Sequence, residues 1–217
     1  MKKMAFIPCR RNSKGIPFKN RKKIGGLSIV EHAVSFAKSS CFDEIVISTD
    51  DEFFLQHNDL GKLCVSRPRE LGSDTAIIAD VMIDFVMSLS ERTFIVVLEP
   101  TAFPRASNDL DQILTGKVKS DFNFASFSKT PVLREKIWNF NEQPFVQKSV
   151  WKRRQEYDCQ HVLTGHYYGF WSDKVEDYYP GLVSTDHLTP FFIDYPYIDI
   201  NDEKDLIVAD ELYREKS

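Results

Sequence analysis

The alternation of short apolar segments with amphipathic ones over the first 115 residues most constrains how this chain can fold. Runs rich in β-branched and aromatic residues predict buried strands at 4–8, 44–49, 63–68 and 94–100. Apolar residues at helical spacing predict helices at 28–40 (with Ser28 as N-cap), 51–57, 75–88 and 108–114. Such alternation is typical of a mostly parallel sheet with helices on both faces, a three-layer α/β/α fold.

The pattern changes after residue 121, where the elements become more scattered. Strands are predicted at 121–128, 161–171 and 198–200, and a closing helix at 202–214. Residues 131–155 are irregular and carry four large aromatic side chains, Trp138, Phe140, Phe145 and Trp151. Large apolar groups in a protruding segment need a partner to cover them. We therefore expect one domain over residues 1–217, with 131–155 as an inserted dimerisation arm.

Cysteine spacing and the length of the apolar runs argue against two classes of protein. No apolar run approaches the roughly 20 residues that span a bilayer, and the N-terminal run is too short for a signal peptide. The four cysteines lie far apart and form no CxxC pair, which argues against a disulfide framework or a zinc knuckle. We expect a cytoplasmic protein without a membrane partner.

Charge is distributed unevenly along the chain. The first 23 residues hold nine of the 28 Lys and Arg residues and no acid, whereas the other 194 residues carry 19 basic and 32 acidic side chains. A general nucleic-acid binder needs a broader positive face than one basic terminus on an acidic body. The distribution favours a local site for a small polyanion and argues against a nucleic-acid partner.

The stretch IPCRRNSKGIPFKN at 7–20 is the candidate for that site. In a parallel α/β sheet ligands bind beyond the carboxyl ends of the strands, and this stretch follows the first one. Gly15 permits a tight turn, Asn12 and Ser13 supply short polar side chains, and Arg10 and Lys14 neutralise phosphate charge. The stretch matches neither G-x-x-x-x-G-K-[ST] nor G-x-G-x-x-G, so a solvated basic turn remains an alternative.

Asp199 supplies a carboxylate at the end of a predicted strand. Nucleoside triphosphates carry Mg²⁺, a hard ion that carboxylate and phosphate oxygens bind. A helix cap is the alternative role for a single aspartate in this position.

Six motifs occur in order across 7–206, nearly the whole chain. They are IPCRRNSKGIPFKN, IVISTDD, RPRELGSDT, LEPTAFPR, VLTGHYYGF and DINDEKDL. Together they resemble the acylneuraminate cytidylyltransferases, the CMP-sialic acid or nonulosonic acid synthetases, which are related to the CMP-Kdo synthetases. The first and third motifs are the most specific.

The resemblance implies a Rossmann-like nucleotidyltransferase fold, similar to GT-A, with a dimerisation arm. It implies that the anomeric hydroxyl of an α-keto sugar acid attacks the α-phosphorus of CTP, releasing pyrophosphate with Mg²⁺ or Mn²⁺ as cofactor. The CMP-sugar would serve surface glycan biosynthesis, and the enzyme would be a homodimer.

Matching motif positions imply a set of site residues. Those implied for catalysis are Arg10, Lys14 and Asp199. Those implied for the nucleotide are Arg10, Asn12, Ser13, Lys14, Gly15, Asn20, Arg67 and Asp74. Those implied for the sugar acid are Glu99, Thr101, Thr164, Gly165 and His166. Those implied for the metal are Asp199 and Asn201.

Departures from the family pattern gather at the sugar and metal positions, whereas the nucleotide loop is intact. Glu99 replaces a glutamine, Asn201 replaces the second metal aspartate, and Ile78 replaces a serine. Val162 replaces an arginine, and 164–166 reads T-G-H in place of N-G-A. The pattern favours CTP as nucleotide and a sugar acid other than N-acetylneuraminate.

Three alternatives remain open at this stage. A CMP-Kdo-type synthetase has the same fold and nucleotide, and a degenerate homologue binds nucleotide without turnover. A GT-A glycosyltransferase fits less well, because the fourth predicted strand is followed by EPT and not by D-x-D.

Lys14→Ala is expected to abolish turnover, because it removes a charge that stabilises the developing phosphoryl oxygens. Pyrophosphate release and thermal unfolding, measured on the same preparation, check this. A variant that keeps most of its kcat contradicts the loop assignment.

Overall fold

The computed structural model describes residues 1–116, 118–130, 160–184 and 187–216. Strands in these ranges are β1 (Lys2–Cys9), β2 (Lys23–Ile24), β3 (Leu27–Ser28), β4 (Glu44–Thr49), β5 (Cys64–Ser66), β6 (Thr93–Val97), β7 (Ala102–Phe103), β8 (Asn123–Thr130), β9 (Gln160–Trp171), β10 (Leu188–Ile193) and β11 (Ile198–Asp199). Helices are α1 (Ile29–Ser39), α2 (Glu52–Leu55), α3 (Ile78–Val86), α4 (Asp111–Thr115) and α5 (Glu203–Lys216). Short 3-10 turns lie at Lys19–Arg21, Gly61–Leu63, Arg69–Gly72 and Ser172–Lys174.

Seven strands form the central sheet in the order β10-β8-β9-β6-β1-β4-β5. Strand β1 pairs in parallel with both β4 and β6, and β4 pairs in parallel with β5. Strand β9 runs antiparallel to β6 and β8, whereas β10 is parallel to β8. The prediction of a mostly parallel sheet is confirmed.

The side chains of β1 alternate between two hydrophobic clusters on opposite faces of the sheet. Ala5 and Ile7 belong to the cluster that includes residues of α1 and α4, and Met4 and Phe6 belong to the one that includes residues of α3. A strand buried on both faces reads as a continuous apolar run, as MAFIP does. The predicted three-layer α/β/α architecture is therefore confirmed.

A third cluster joins the two ends of the chain. Ile16 and Ile24, from the segment after β1, pack with Phe103 and Ile200, and α5 contributes Ala209. The predicted strand at 198–200 forms as β11, but it pairs antiparallel with β7 and not with the central sheet. The two-residue β7 gave no recognisable sequence pattern.

Strand β10 was missed by the sequence analysis because of its composition. It reads LTPFFI, and Pro190 lacks the N–H that a central strand needs. The structure reconciles this by placing β10 at the edge of the sheet, next to β8 alone.

Two predictions concern the rest of the chain. Residues 131–155, predicted as a dimerisation arm, lie entirely outside the described residues, so the arm stays a prediction. Within the described part of the chain, none of the helices has the length and apolar character needed to cross a bilayer.

Helix α1 begins where its sequence predicts. The Ser28 side chain accepts a hydrogen bond from the Glu31 N–H (3.2 Å), and the Glu31 carboxylate accepts one from the Ser28 N–H (2.6 Å). This reciprocal pair satisfies two N–H groups that the helix cannot satisfy itself.

Ser28→Ala is expected to lower the free energy of unfolding by about 1 kcal/mol, because it removes this cap. Chemical denaturation monitored by circular dichroism checks the value. Ser35→Ala, the same substitution at an exposed position of α1, is the control. An equal loss in both variants contradicts the capping role.

Candidate active site

The carboxyl ends of β1, β4, β5 and β6 meet at one edge of the sheet, and the segments beyond β1, β5 and β6 line a cleft of about 280 Å³. The cleft brings together seven of the predicted site residues, Arg10, Ser13, Asn20, Arg67, Asp74, Glu99 and Thr101. Parallel strands place their carboxyl ends together, so residues far apart in sequence meet here.

Hydrogen bonds to neighbouring segments hold the loop after β1. The Arg10 guanidinium donates to the Ser73 carbonyl (3.1 Å) and to the Asp74 carboxylate (2.9 Å). The buried Asn20 side chain donates to the Arg10 carbonyl (2.9 Å). Asn20 therefore shapes the loop from inside, and Asp74 orients the arginine that faces the cleft.

The remaining loop residues lie around the cleft. Lys14 is exposed, with 78% of its side chain accessible, and its Nζ lies 4.0 Å from the Asp74 carboxylate. Asn12 lines a neighbouring cavity of about 410 Å³ that shares Arg67 with the cleft. A Cβ at Gly15 would overlap the Asn201 carbonyl oxygen, so only glycine allows this close packing.

Arg67 is buried and its donors are bonded within the protein. It donates to the Ser48 hydroxyl (3.1 Å), the Ser48 carbonyl (2.6 Å) and the Leu71 carbonyl (3.4 Å). Burial lowers the pKa of its guanidinium. Its contact with the nucleotide stays a prediction; in this structure the guanidinium joins the end of β4 to the segment after β5.

Glu99 lies just after β6, half-buried in the cleft wall. Burial, together with the charge of Asp199, raises the pKa of Glu99 to about 7, and Arg105 and Lys19 partly oppose this. Its backbone carbonyl accepts a hydrogen bond from Arg105 (2.5 Å). The Glu99 carboxyl is therefore partly protonated and partly ionised near neutral pH.

The three predicted sugar-binding residues of β9 divide into two groups. Gly165, with φ +73°, lies so close to Glu99 that a Cβ would stand 3.1 Å from a carboxylate oxygen. Thr164 and His166 are buried, and they bond to the Ser126 hydroxyl (2.7 Å) and the Pro104 carbonyl (3.1 Å). Their burial and internal hydrogen bonds do not support direct contact with a ligand, so the sugar-binding role of Thr164 and His166 stays a prediction.

Asp199 and Asn201 are not among the residues that line the cleft, but Asp199 lies near enough for its charge to act on Glu99. The short ladder of β11 with β7 pairs Asp199 with Ala102, and the Ile200 N–H donates to the Thr101 carbonyl (3.0 Å). The Asn201 amide donates to the Asp199 carboxylate (2.9 Å). The described residues contain no group of three or more His, Cys, Asp or Glu side chains able to hold a metal.

One carboxylate and one amide oxygen fit Mg²⁺ only if other oxygens complete its shell. Mg²⁺ in proteins commonly takes one or two carboxylates and fills the rest of its octahedron with water and substrate phosphate. The donor set of Asp199 and Asn201 is therefore compatible with a metal that arrives with a triphosphate.

Sequence reasoning missed two parts of the cleft. Lys19 lines it, its Nζ donates to the Ile200 carbonyl (2.7 Å), and burial lowers its pKa. The sequence signal that could have identified Lys19 is the Lys-Asn pair that ends the first motif. Ala76 and Ile77 also line the cleft, next to Ile78, which departs from the family pattern and packs in part against the core.

Comparisons with known proteins identify a family and several relatives of this chain. A family model described as "Cytidylyltransferase" matches residues 4–157. An N-acylneuraminate cytidylyltransferase of Streptococcus agalactiae is 31% identical over 134 residues, covering 59% of this chain and 32% of that protein. A CMP-N,N'-diacetyllegionaminic acid synthase of Legionella pneumophila is 29% identical over 111 residues, covering 47% of each. The chain spans less than half the length of these curated relatives.

A solved structure has the same fold over its full length. The CMP:2-keto-3-deoxy-manno-octonic acid synthetase complexed with CTP has a TM-score of 0.71 and 13% identity, and the match covers 100% of both chains. At this identity the likeness concerns the fold.

Glu99→Gln is expected to change how the stability of the ligand-free protein depends on pH. The raised pKa means that Glu99 stabilises the fold below its unfolded pKa, near 4.5, and that this contribution is lost as the pH rises through about 7. Glutamine does not titrate. The difference in melting temperature between variant and wild type should therefore shift in favour of the variant as the pH rises from 5 to 8.

Thermal unfolding at both pH values measures this difference. Glu176→Gln, which removes the same charge at an exposed position, is the matched control. The same change with pH in both variants, or none in Glu99→Gln, contradicts the raised pKa.

Proposed function

The chain belongs to the cytidylyltransferase family, and we propose on that premise that it transfers CMP from CTP to a nonulosonic, sialic-acid-like α-keto sugar acid. The observation that carries the proposal is the cleft itself. It combines a cationic loop after β1 with Glu99 and Thr101 after β6, and the charge of Asp199 in β11 acts on Glu99. Two curated relatives, one named for N-acylneuraminate and one for N,N'-diacetyllegionaminic acid, support this substrate class.

The proposed reaction is a single displacement at phosphorus. The oxygen of the anomeric hydroxyl bonds to the α-phosphorus, the bond from that phosphorus to the bridging oxygen breaks, and pyrophosphate leaves. The hydroxyl proton passes to solvent. Catalysis of such a transfer rests on positioning and on charge stabilisation rather than on covalent chemistry with the protein.

Cationic side chains supply the charge stabilisation. Arg10 and Lys19 line the cleft, and Lys14 stands beside Asp74 at the loop surface. Fixed positive charges aimed at the phosphoryl oxygens are worth more in the transition state, where negative charge on those oxygens shifts toward the leaving group. Asp74 keeps Arg10 oriented before the nucleotide arrives.

Asp199 and Asn201 would hold the metal of the proposed reaction, Mg²⁺ or Mn²⁺. When bound, the ion supplies charge neutralisation for the phosphates and the departing pyrophosphate. Asn201 is a neutral ligand, so this chain depends on Asp199 and on the oxygens of the nucleotide for metal affinity.

The protonation state of Glu99 sets the charge of the proposed acid site. In its protonated form the carboxyl is neutral and donates a hydrogen bond to a substrate oxygen, as an amide would. In its ionised form it repels the carboxylate of a sugar acid. The chain should therefore favour sugar acids whose functional groups accommodate a carboxyl at this position.

Dimerisation, cytoplasmic localisation and service to a surface glycan are parts of the same proposal. The segment proposed to form the dimer is 131–155, and CTP is a cytoplasmic metabolite. These points extend the proposed reaction and are independent of the cleft geometry.

Pyrophosphate release from CTP in the presence of Mg²⁺ or Mn²⁺ tests the proposed function directly. A panel of nonulosonic acids, with Kdo added, separates the main proposal from a Kdo-type synthetase. We expect turnover with at least one nonulosonic acid. Binding of CTP without release for any acid would identify a non-catalytic homologue and overturn the proposal.

Glu99→Gln is expected to change the relative kcat/KM values for the acids of this panel by about tenfold, while the KM for CTP changes less. The reason is that Glu99 lies on the sugar side of the proposed cleft. Steady-state kinetics with each substrate varied in turn provides the measurement. Equal losses for CTP and for all acids count against this assignment.

A further inference from the structure

A second cavity, of about 270 Å³, shares no lining residue with the candidate active site. It is lined by residues of α1, of α5 and of the segment after β7, among them His32, Ser35, Phe36, Arg105 and Tyr213. Of the described residues that line it, Arg105 carries the one permanent charge and none is acidic. The cavity therefore has a positive charge without a matching negative one in its own wall.

The Arg105 guanidinium is only partly satisfied by the protein. Its Nη2 donates to the Glu99 carbonyl (2.5 Å) and to the His166 carbonyl (3.3 Å), whereas its buried Nε has no hydrogen-bond partner. None of the ion pairs in the described part of the chain includes Arg105. A charge withdrawn from water is normally paired, because its lost hydration must be offset by an opposite charge.

The carboxylate of Asp109 acts on Arg105 through its charge, but its hydrogen bonds go elsewhere. Its Oδ2 accepts from the hydroxyls of Tyr167 and Tyr195 (2.5 Å each) and from the Ala106 N–H (3.3 Å). Asp109 is thus committed to two tyrosines. Arg105 is left to line an open cavity with no acidic partner among the described residues.

Aromatic rings form much of the remaining wall. The rings of Phe36, Phe103 and Tyr213 line the cavity, and the His32 ring lies 5.1 Å from Phe103 and 5.5 Å from Tyr213 between ring centroids. The Arg105 guanidinium lies 5.9 Å from the centre of the Phe36 ring. Apolar and aromatic walls with a few placed polar groups are typical of small-molecule sites. An anion with an apolar body suits this combination.

We infer that this cavity binds the carboxylate of a small organic acid, with Arg105 as its counterion and the aromatic rings against its apolar part. The inference is independent of the proposed reaction. One carboxylate balances the charge of one guanidinium, whereas a phosphate group carries about −1.5 to −2 charges near pH 7. A carboxylate also accepts charge-assisted hydrogen bonds from guanidinium N–H groups, and those of Arg105 Nη1 make none with a described residue.

Benzoate is a suitable probe, because it joins a carboxylate to a planar apolar ring, and benzamide is its neutral counterpart of the same shape. Isothermal titration calorimetry on the full chain without nucleotide measures the binding of both. We expect benzoate to bind with a Kd on the order of 1 mM, and at least about tenfold more tightly than benzamide. Inorganic phosphate at equal concentration should not displace benzoate.

Substitutions in the cavity and in the active-site cleft locate the bound probe. Ser35→Glu adds a carboxylate at an exposed lining position and should weaken benzoate binding at least about tenfold. Ser35→Gln, of nearly the same size, should keep the Kd within about threefold of the wild type. Arg105→Gln should abolish binding, and the Ser35 pair decides the matter if that variant does not fold. Arg10→Gln, in the separate cleft, should leave benzoate binding unchanged.

Four results overturn the inference. Absence of benzoate binding, or equal affinities for benzoate and benzamide, shows that the cavity does not select a carboxylate. Displacement by inorganic phosphate assigns the site to phosphate. Full affinity in Ser35→Glu, or loss of binding in Arg10→Gln, places benzoate outside this cavity. These measurements use no CTP, so the proposed transfer reaction stands or falls separately.

Discussion

The backbone ladder between β7 and β11 fixes Asp199 against the segment that follows β6. It is only two residue pairs long, Ile198 with Phe103 and Asp199 with Ala102, and the Ile200 N–H extends it to Thr101. Ile200 and Phe103 are buried in the cluster beneath it, and Lys19 donates to the Ile200 carbonyl. Together with the Lys19 hydrogen bond and the close packing of Gly15 on Asn201, this ladder fixes the position of Asp199 relative to Glu99 and the cationic loop.

Opposite charges lie close together around the cleft. The loop after β1 brings Arg10 and Lys19 to it, and Lys19 partly opposes the rise in the pKa of Glu99 that burial and Asp199 cause. With a pKa of about 7, Glu99 is partly protonated near neutral pH, and its protonated form would not repel the carboxylate of the proposed acid substrate. The cleft therefore has features that suit both substrates of the proposed transfer reaction.

The sequence predicted the sheet and the loop well because each depends on local pattern. Buried strands such as β4 are rich in β-branched residues, and Ser28 with Glu31 forms a cap that can be read directly from the chain. The start of α3 could not be read in this way. The helix was predicted to begin at residue 75, but α3 begins at Ile78 with Ile77 as its N-cap. The Arg67 side chain bonds to Ser48 and Leu71, and the spacing of these residues in the sequence does not predict those contacts.

The close contact of Gly15 with Asn201 has a thermodynamic consequence. Because no side chain separates the two backbones, residues 199–201 and the loop at 10–15 leave little room for one to move without the other. A ligand that fixes either segment lowers the entropic cost of fixing its neighbour. For the metal proposed at residues 199–201 and the nucleotide proposed at the loop, the two affinities are then linked, and by reciprocity each ligand raises the affinity for the other by the same factor.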